Sequence, residues 1–208
     1  MSAFDSGASG DPGGFVAPAI VSVDVYTSAY RVSGVLETRF TRVTEILNQL
    51  TGAYLVVHRA TFSEHGDPGP ASSSPTAMVA VDEILVMVAR DLGSNESQSE
   101  MRIPKRPLLA HLALPPLRLT GTVYVARGSH PVDGLSSGNV RFIAMTGVSM
   151  SSAAYPELAR VAPVAAVRRD LGHVLLVADE GNYDQLLADV LDEQTTERRL
   201  GDTPEPSG

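Results

Sequence analysis

The chain has no cysteine, so disulfides, thiolate metal sites and thiol nucleophiles are excluded, in keeping with a reducing compartment. Charge is sparse, at 19% of residues, and the shortage is on the basic side: 16 Lys and Arg stand against 24 Asp and Glu, for a formal net charge of −8. That balance opposes general attraction to nucleic acid or to an anionic membrane surface, both of which require clustered cations. Long apolar runs are also missing. None approaches the roughly 18 residues needed to span a bilayer, the longest being cut by Asp82 and Glu83 or by Arg168, Arg169 and Asp170. The first 14 residues, rich in Ser, Gly and Asp, carry neither the basic start nor the apolar run of a secretory signal. These absences lead to the expectation of a soluble, cytoplasmic, globular protein that neither inserts into membranes nor binds nucleic acid.

The 18 glycines and 14 prolines gather in a few stretches. Residues 1–18, 63–76, 91–107 and 201–208 offer too little apolar area to offset the entropy of ordering them, and read as tails, a loop and a linker. Between them lies a mainly β pattern with short helices. Val21, Val23 and Val25 alternate with Ser22, Asp24 and Tyr26, which marks a strand with one apolar and one polar face. Residues 30–38 form a second strand after a turn at residues 27–29. Val43, Ile46, Leu47 and Leu50 then fall on one face of a short helix, with Thr41 as N-cap and Gly52 as stop. Residues 53–62 and 77–89 complete a strand, strand, helix, strand, strand order.

The same order returns after residue 107, and the sequence itself repeats. Tyr30-Arg31-Val32-Ser33-Gly34 faces Leu117-Arg118-Leu119-Thr120-Gly121, residues 42–48 face 130–136, residues 54–57 face 142–145, and residues 87–89 face 176–178. Duplication is the expectation: a first β-rich module at 19–90 and a second at 108–180, each a small half-open barrel or sheet, packed as a pseudo-symmetric pair. Pro131 and Gly134 weaken the helix of the second copy. Residues 181–200 read as an amphipathic helix with a stripe of Tyr183, Leu186, Leu187, Val190 and Leu191, suited to docking on the rest of the chain or on a partner.

Val25-Tyr26-Thr27, Tyr30-Arg31-Val32-Ser33-Gly34 and Arg42-Val43-Thr44-Glu45-Ile46-Leu47-Asn48 carry a resemblance. In these segments the first copy resembles a family of functionally uncharacterised bacterial proteins with a small β-rich domain, over about residues 20–90. The resemblance implies a domain type and no activity, with Tyr30, Gly34, Arg42 and Asn48 as its motif positions. Asn48 most simply caps the helix or bonds nearby backbone.

Catalytic and cofactor signatures are not found. His58, His65, His111, His130 and His173 never fall at metal-ligand spacing and read as ordinary surface or half-buried histidines. Asp82-Glu83 and Arg168-Arg169-Asp170 interrupt apolar strands at matching places; they are either acid and base candidates or charged turns, and the turn reading is preferred. The Ser-rich stretches lack a nucleophile elbow, and no phosphate-binding glycine loop opens a helix. No catalytic residue, metal ligand or cofactor is therefore expected. Two functional classes follow: an interaction or scaffold protein that binds a protein partner or itself, and a small-molecule or cyclic-dinucleotide sensor of PilZ-like type. The second rests on Arg102 and Arg106, whose guanidinium groups suit phosphate contacts, although the downstream residues 133–138 have the wrong spacing for that motif.

Overall fold

The computed structural model describes residues 18–90, 105–130, 133, 135 and 140–178, with the side chains of residues 174–176 and 178 excepted. Among the described residues, ten strands form one continuous sheet. The first half supplies β1 (Ala19–Tyr26), β2 (Tyr30–Thr38), helix α1 (Val43–Asn48), β3 (Tyr54–Glu64), β4 (Ser72–Ala80) and β5 (Val86–Ala89). The second supplies β6 (Lys105–Leu114), β7 (Leu117–Ala126), β8 (Phe142–Ser151), β9 (Arg160–Arg168) and β10 (Val174–Ala178). The spatial order is β10-β6-β7-β8-β9-β5-β1-β2-β3-β4, and all pairings are antiparallel.

Each half thus has the order fifth, first, second, third, fourth strand, and the halves meet where β5 pairs with β9. The correspondence extends to single residues. Tyr54 opposite Ala80 becomes Phe142 opposite Arg168, and His58 opposite Thr76 becomes Thr146 opposite Val164. Asp24 opposite Ser33 becomes His111 opposite Thr120. Beyond β4, the amide of Val81 donates to the carbonyl of Ala53, as that of Arg169 does to Arg141 beyond β9.

A β-bulge sits at the same place in both halves. Register shifts around Gly34 on β2 and around Gly121 on β7. The facing residues, Arg59 and Gly147, have φ of 49° and 57°, the left-handed region that the first residue of a G1-type bulge adopts. A side chain at Gly34 would lie 2.5 Å from Val57 and 2.6 Å from the carbonyl oxygen of His58, so glycine there permits the close approach of β2 and β3.

Two apolar cores flank the sheet and share its middle. Met87 and Ala89 of β5 join the first core with Val23, Val25, Leu36, Ile46, Leu47 and Val57, whereas Val86 and Val88 join the second with Leu108, Leu119, Val123 and Met145. β9 divides likewise, Ala166 facing the first core and Ala165 and Val167 the second. The halves are joined edge to edge where β5 pairs with β9, and α1 of the first half packs on β8 and β9 of the second.

Several segment boundaries are corrected. Ser72 to Thr76, expected in an unpacked loop, begin β4, and Lys105, Arg106 and Pro107, expected in the linker, begin β6. Backbone pairing with a neighbouring strand offsets the poor strand propensity of these residues. Thr41 makes no capping bond, and Arg42 occupies the N-cap position without one. Of the charged interruptions, Asp82 and Glu83 lie in a 3₁₀ turn (Val81–Glu83) and Arg169 and Asp170 follow β9, as preferred, whereas Arg168 ends β9 itself and is buried. Tyr155 and Leu158 lie at a further 3₁₀ turn (Pro156–Leu158). The amphipathic segment at 181–200 and its stripe lie outside the described residues.

Candidate functional site

Two features at the edges of the first half bear on function: a buried ionic centre where the halves meet, and an apolar face on the free side of the sheet.

The ionic centre grows from β1. Its alternation assigned Ser22, Asp24 and Tyr26 to a polar face, yet Asp24 is 0% exposed and Tyr26 is buried, because arginines of both halves close over Asp24 and Tyr26 joins the second half's core. Three guanidinium groups converge on the Asp24 carboxylate. Arg31 of β2 lies 3.0 Å away, Arg90 after β5 binds both oxygens at 2.5 and 2.8 Å, and Arg160 of β9 lies at 2.5 Å. Ser33 donates a further bond at 2.5 Å, and Arg160 also donates to the Tyr26 hydroxyl at 2.7 Å. Burial alone would raise the Asp24 carboxyl, but the bonds from Arg90 and Ser33 and the charge of Arg31 outweigh it, holding the group well below the usual carboxylate range. Burial pushes the Tyr26 phenol up. The Arg160 guanidinium, which burial would lower, is instead raised by Tyr26 and Asp24. Both carboxylate oxygens are thereby engaged in holding β1, β2, β5 and β9 together, a structural use of buried charge.

A second lock ties α1 to the second half. Asn48 donates from Nδ2 to the Phe142 carbonyl at 2.9 Å and accepts at Oδ1 from the Phe142 amide at 3.0 Å. Next to it Arg168, itself buried, donates to the Val81 carbonyl at 2.8 Å, binds Asp170 and lies over the Phe142 ring. The bond to Arg168 lowers the Asp170 carboxyl.

The apolar face lies on the other side of the first half. Tyr54 and Val56 of β3 and Met78 of β4 are exposed, Tyr54 at 51% and Met78 at 63%. Val56 is directly opposite Met78. Their second-half counterparts are Phe142, Ala144 and Ala166. Phe142 is 1% and Ala166 0% exposed, both within the first half's core. Two positions of this surface are therefore buried in the second half and open in the first, where the surface reaches β4, an edge strand with no further strand beside it among the described residues.

The motif positions fall into distinct roles. Tyr30 is exposed and stands edge-on to Phe62 at 6.2 Å. Gly34 forms the bulge, Arg42 makes an exposed ion pair with Glu45, and Asn48 locks α1 to β8. Arg106 lies on β6 and lines a groove of about 660 Å³ with Pro107, Arg127, Gly128, Ser129 and His130. Arg102 lies outside the described residues. Asp24, Arg90 and Arg160 escaped the sequence reading; the one signal was an acidic residue set between valines on β1.

His65 is buried against the Thr27 carbonyl at 3.1 Å. Among the described residues no group of three or more His, Asp or Glu could hold a metal ion, and no helix is long and apolar enough to cross a membrane. No family model, no curated protein and no solved structure matches the chain.

Proposed function

We propose that the chain is a non-catalytic interaction or scaffold protein of the cytoplasm, built by tandem duplication of one β-rich module, that docks a protein through the outer face of β3 and β4 and the free edge of β4. One observation carries this reading: Tyr54 and Met78 are exposed where their counterparts Phe142 and Ala166 lie buried in the core of the other half. An apolar patch that reaches an edge strand favours strand addition, in which backbone bonds supply affinity and side chains specificity. Duplication is supported by the residue-for-residue register of the halves, and the cytoplasm by the cysteine-free composition. The acidic balance favours protein over nucleic acid as the partner.

Hydrogen exchange tests the docking reading. Isotopically labelled chain is compared in dilute buffer and in concentrated native extract at the amides of residues 76–80. Slower exchange in extract, abolished by Met78→Glu, is the expected result. Equal exchange in both media, unchanged as the chain itself is concentrated, removes the proposal.

A second reading, a sensor for a phosphate-bearing small molecule, is supported by the groove that Arg106 shares with Arg127 and His130. A thermal shift with cyclic dinucleotides that disappears in Arg106→Ala would favour it.

A further inference from the structure

We infer that the free edge of β4 is taken by β10 of a second copy of this chain, so that molecules associate head to tail by repeating the joint that connects their own halves. The inference rests on the docking reading above and names its partner.

Within the chain, β5 pairs antiparallel with β9: Val86 opposite Val167, Met87 opposite Ala166, Val88 opposite Ala165. The counterpart of β9 in the first half is β4, and the counterpart of β5 in the second half is β10. These two strands are the outermost in the sheet among the described residues. Placing them as β5 and β9 are placed sets Val174 opposite Val79, Leu175 opposite Met78 and Leu176 opposite Ala77. The apolar character of the joint is kept at every position, and Met78 takes the place of Ala166, which reaches into the neighbouring core.

Proline would ordinarily bar an edge strand from pairing. Here Pro75 of β4 corresponds to Pro163 of β9, and Pro163 lies beyond the three residues that pair with β5. Pro75 therefore leaves residues 77–79 free to pair in the same way. The joint is heterologous, its two surfaces being different, so it generates chains or rings rather than closed pairs.

The ionic lock is not repeated. Asp24, Arg90 and Arg160, which fasten the joint inside the chain, correspond to His111, Ala178 and Ser72. Association between copies is accordingly weaker than the joint within one copy and rises with concentration.

The absence of cysteine allows a direct test in the full chain. Met78→Cys and Leu175→Cys variants are prepared separately, reduced, mixed and oxidised, and the products are resolved by non-reducing electrophoresis and peptide mapping. The expected result is a mixed disulfide joining position 78 of one copy to position 175 of another, exceeding either homodimer by at least several-fold, with light scattering of the parent showing mass that grows with concentration. Ser22→Cys with Leu175→Cys serves as the control for random collision and should give no such excess. A mixture dominated by the homodimer linked through position 78 would overturn the head-to-tail joint in favour of a two-fold pair on β4. A parent chain that stays monomeric at all concentrations, together with no excess of the mixed disulfide between the two cysteine variants, would also overturn it. If edge protection in native extract persisted in that case, docking would stand with a foreign protein as partner; if that protection were also missing, both ideas would fall.

Discussion

Asn48 and Phe142 form a reciprocal pair of hydrogen bonds across 94 positions, side-chain amide to backbone carbonyl and backbone amide to side-chain carbonyl. An amide side chain is the group that satisfies both at once, since it carries a donor and an acceptor on one planar head. Asn48→Ala is expected to leave the Phe142 backbone unpaired at the joint and to cost about 1–3 kcal/mol. Asn48→Asp should cost more than Asn48→Ala at neutral pH, because a carboxylate oxygen would then face the carbonyl oxygen. Urea unfolding of the three chains checks the ranking; equal stability of all three would show that α1 is held by packing alone.

Asp24 should govern the acid limb of stability. Its folded carboxyl is held below the ordinary range, so the folded state binds fewer protons than the unfolded state as pH falls. The contribution is complete above the unfolded carboxyl value of about 4 and is lost as pH descends toward the folded value. Asp24→Asn removes the charge on which three guanidinium groups converge. A loss of about 3 kcal/mol at pH 7 is expected, the low end for a broken buried ion pair because the arginines remain partly hydrated. Melting temperature measured from pH 7 to pH 2 should therefore fall less steeply in Asp24→Asn than in the parent. Parallel curves would remove Asp24 from this role.

The bulge offers a prediction of opposite sign. Arg59 adopts a left-handed φ that the second half assigns to Gly147. Arg59→Gly relieves the Cβ strain of that conformation and should stabilise the chain by roughly 0.5–1 kcal/mol, after the added entropy of the unfolded glycine is subtracted. Gly34→Ala places a Cβ 2.6 Å from the carbonyl oxygen of His58 and should destabilise by about 1–3 kcal/mol. Thermal unfolding of both variants decides; a destabilising Arg59→Gly would mean that the arginine makes contacts that outweigh its strain.

Much of the local structure was determined by the sequence alone. The valine alternation of β1, the turn at residues 27–29 and the apolar spacing of α1 each reflect interactions within a few residues, so they are legible without the fold. Thr27 illustrates this: its hydroxyl accepts from the Tyr30 amide at 2.9 Å and its amide donates to the Tyr30 carbonyl at 2.9 Å, closing the turn locally. The paired segments at 30–34 and 117–121 likewise announced matching strands, because the same bulge requires a glycine in each.

Tertiary structure decided what each outer face meets. The polar alternation of β1 cannot distinguish an aspartate in water from Asp24 under three arginines, since the groups that bury it come from residues 31, 90 and 160. Nor does local sequence separate Tyr54 from Phe142, two aromatic residues at one position of one strand pattern. Their opposite fates follow from the edge-to-edge joining of β5 and β9, which covers the second half's third and fourth strands with α1 and leaves those of the first half open. Pairing between distant strands depends on which edges are free, a property of the assembled sheet rather than of any segment within it.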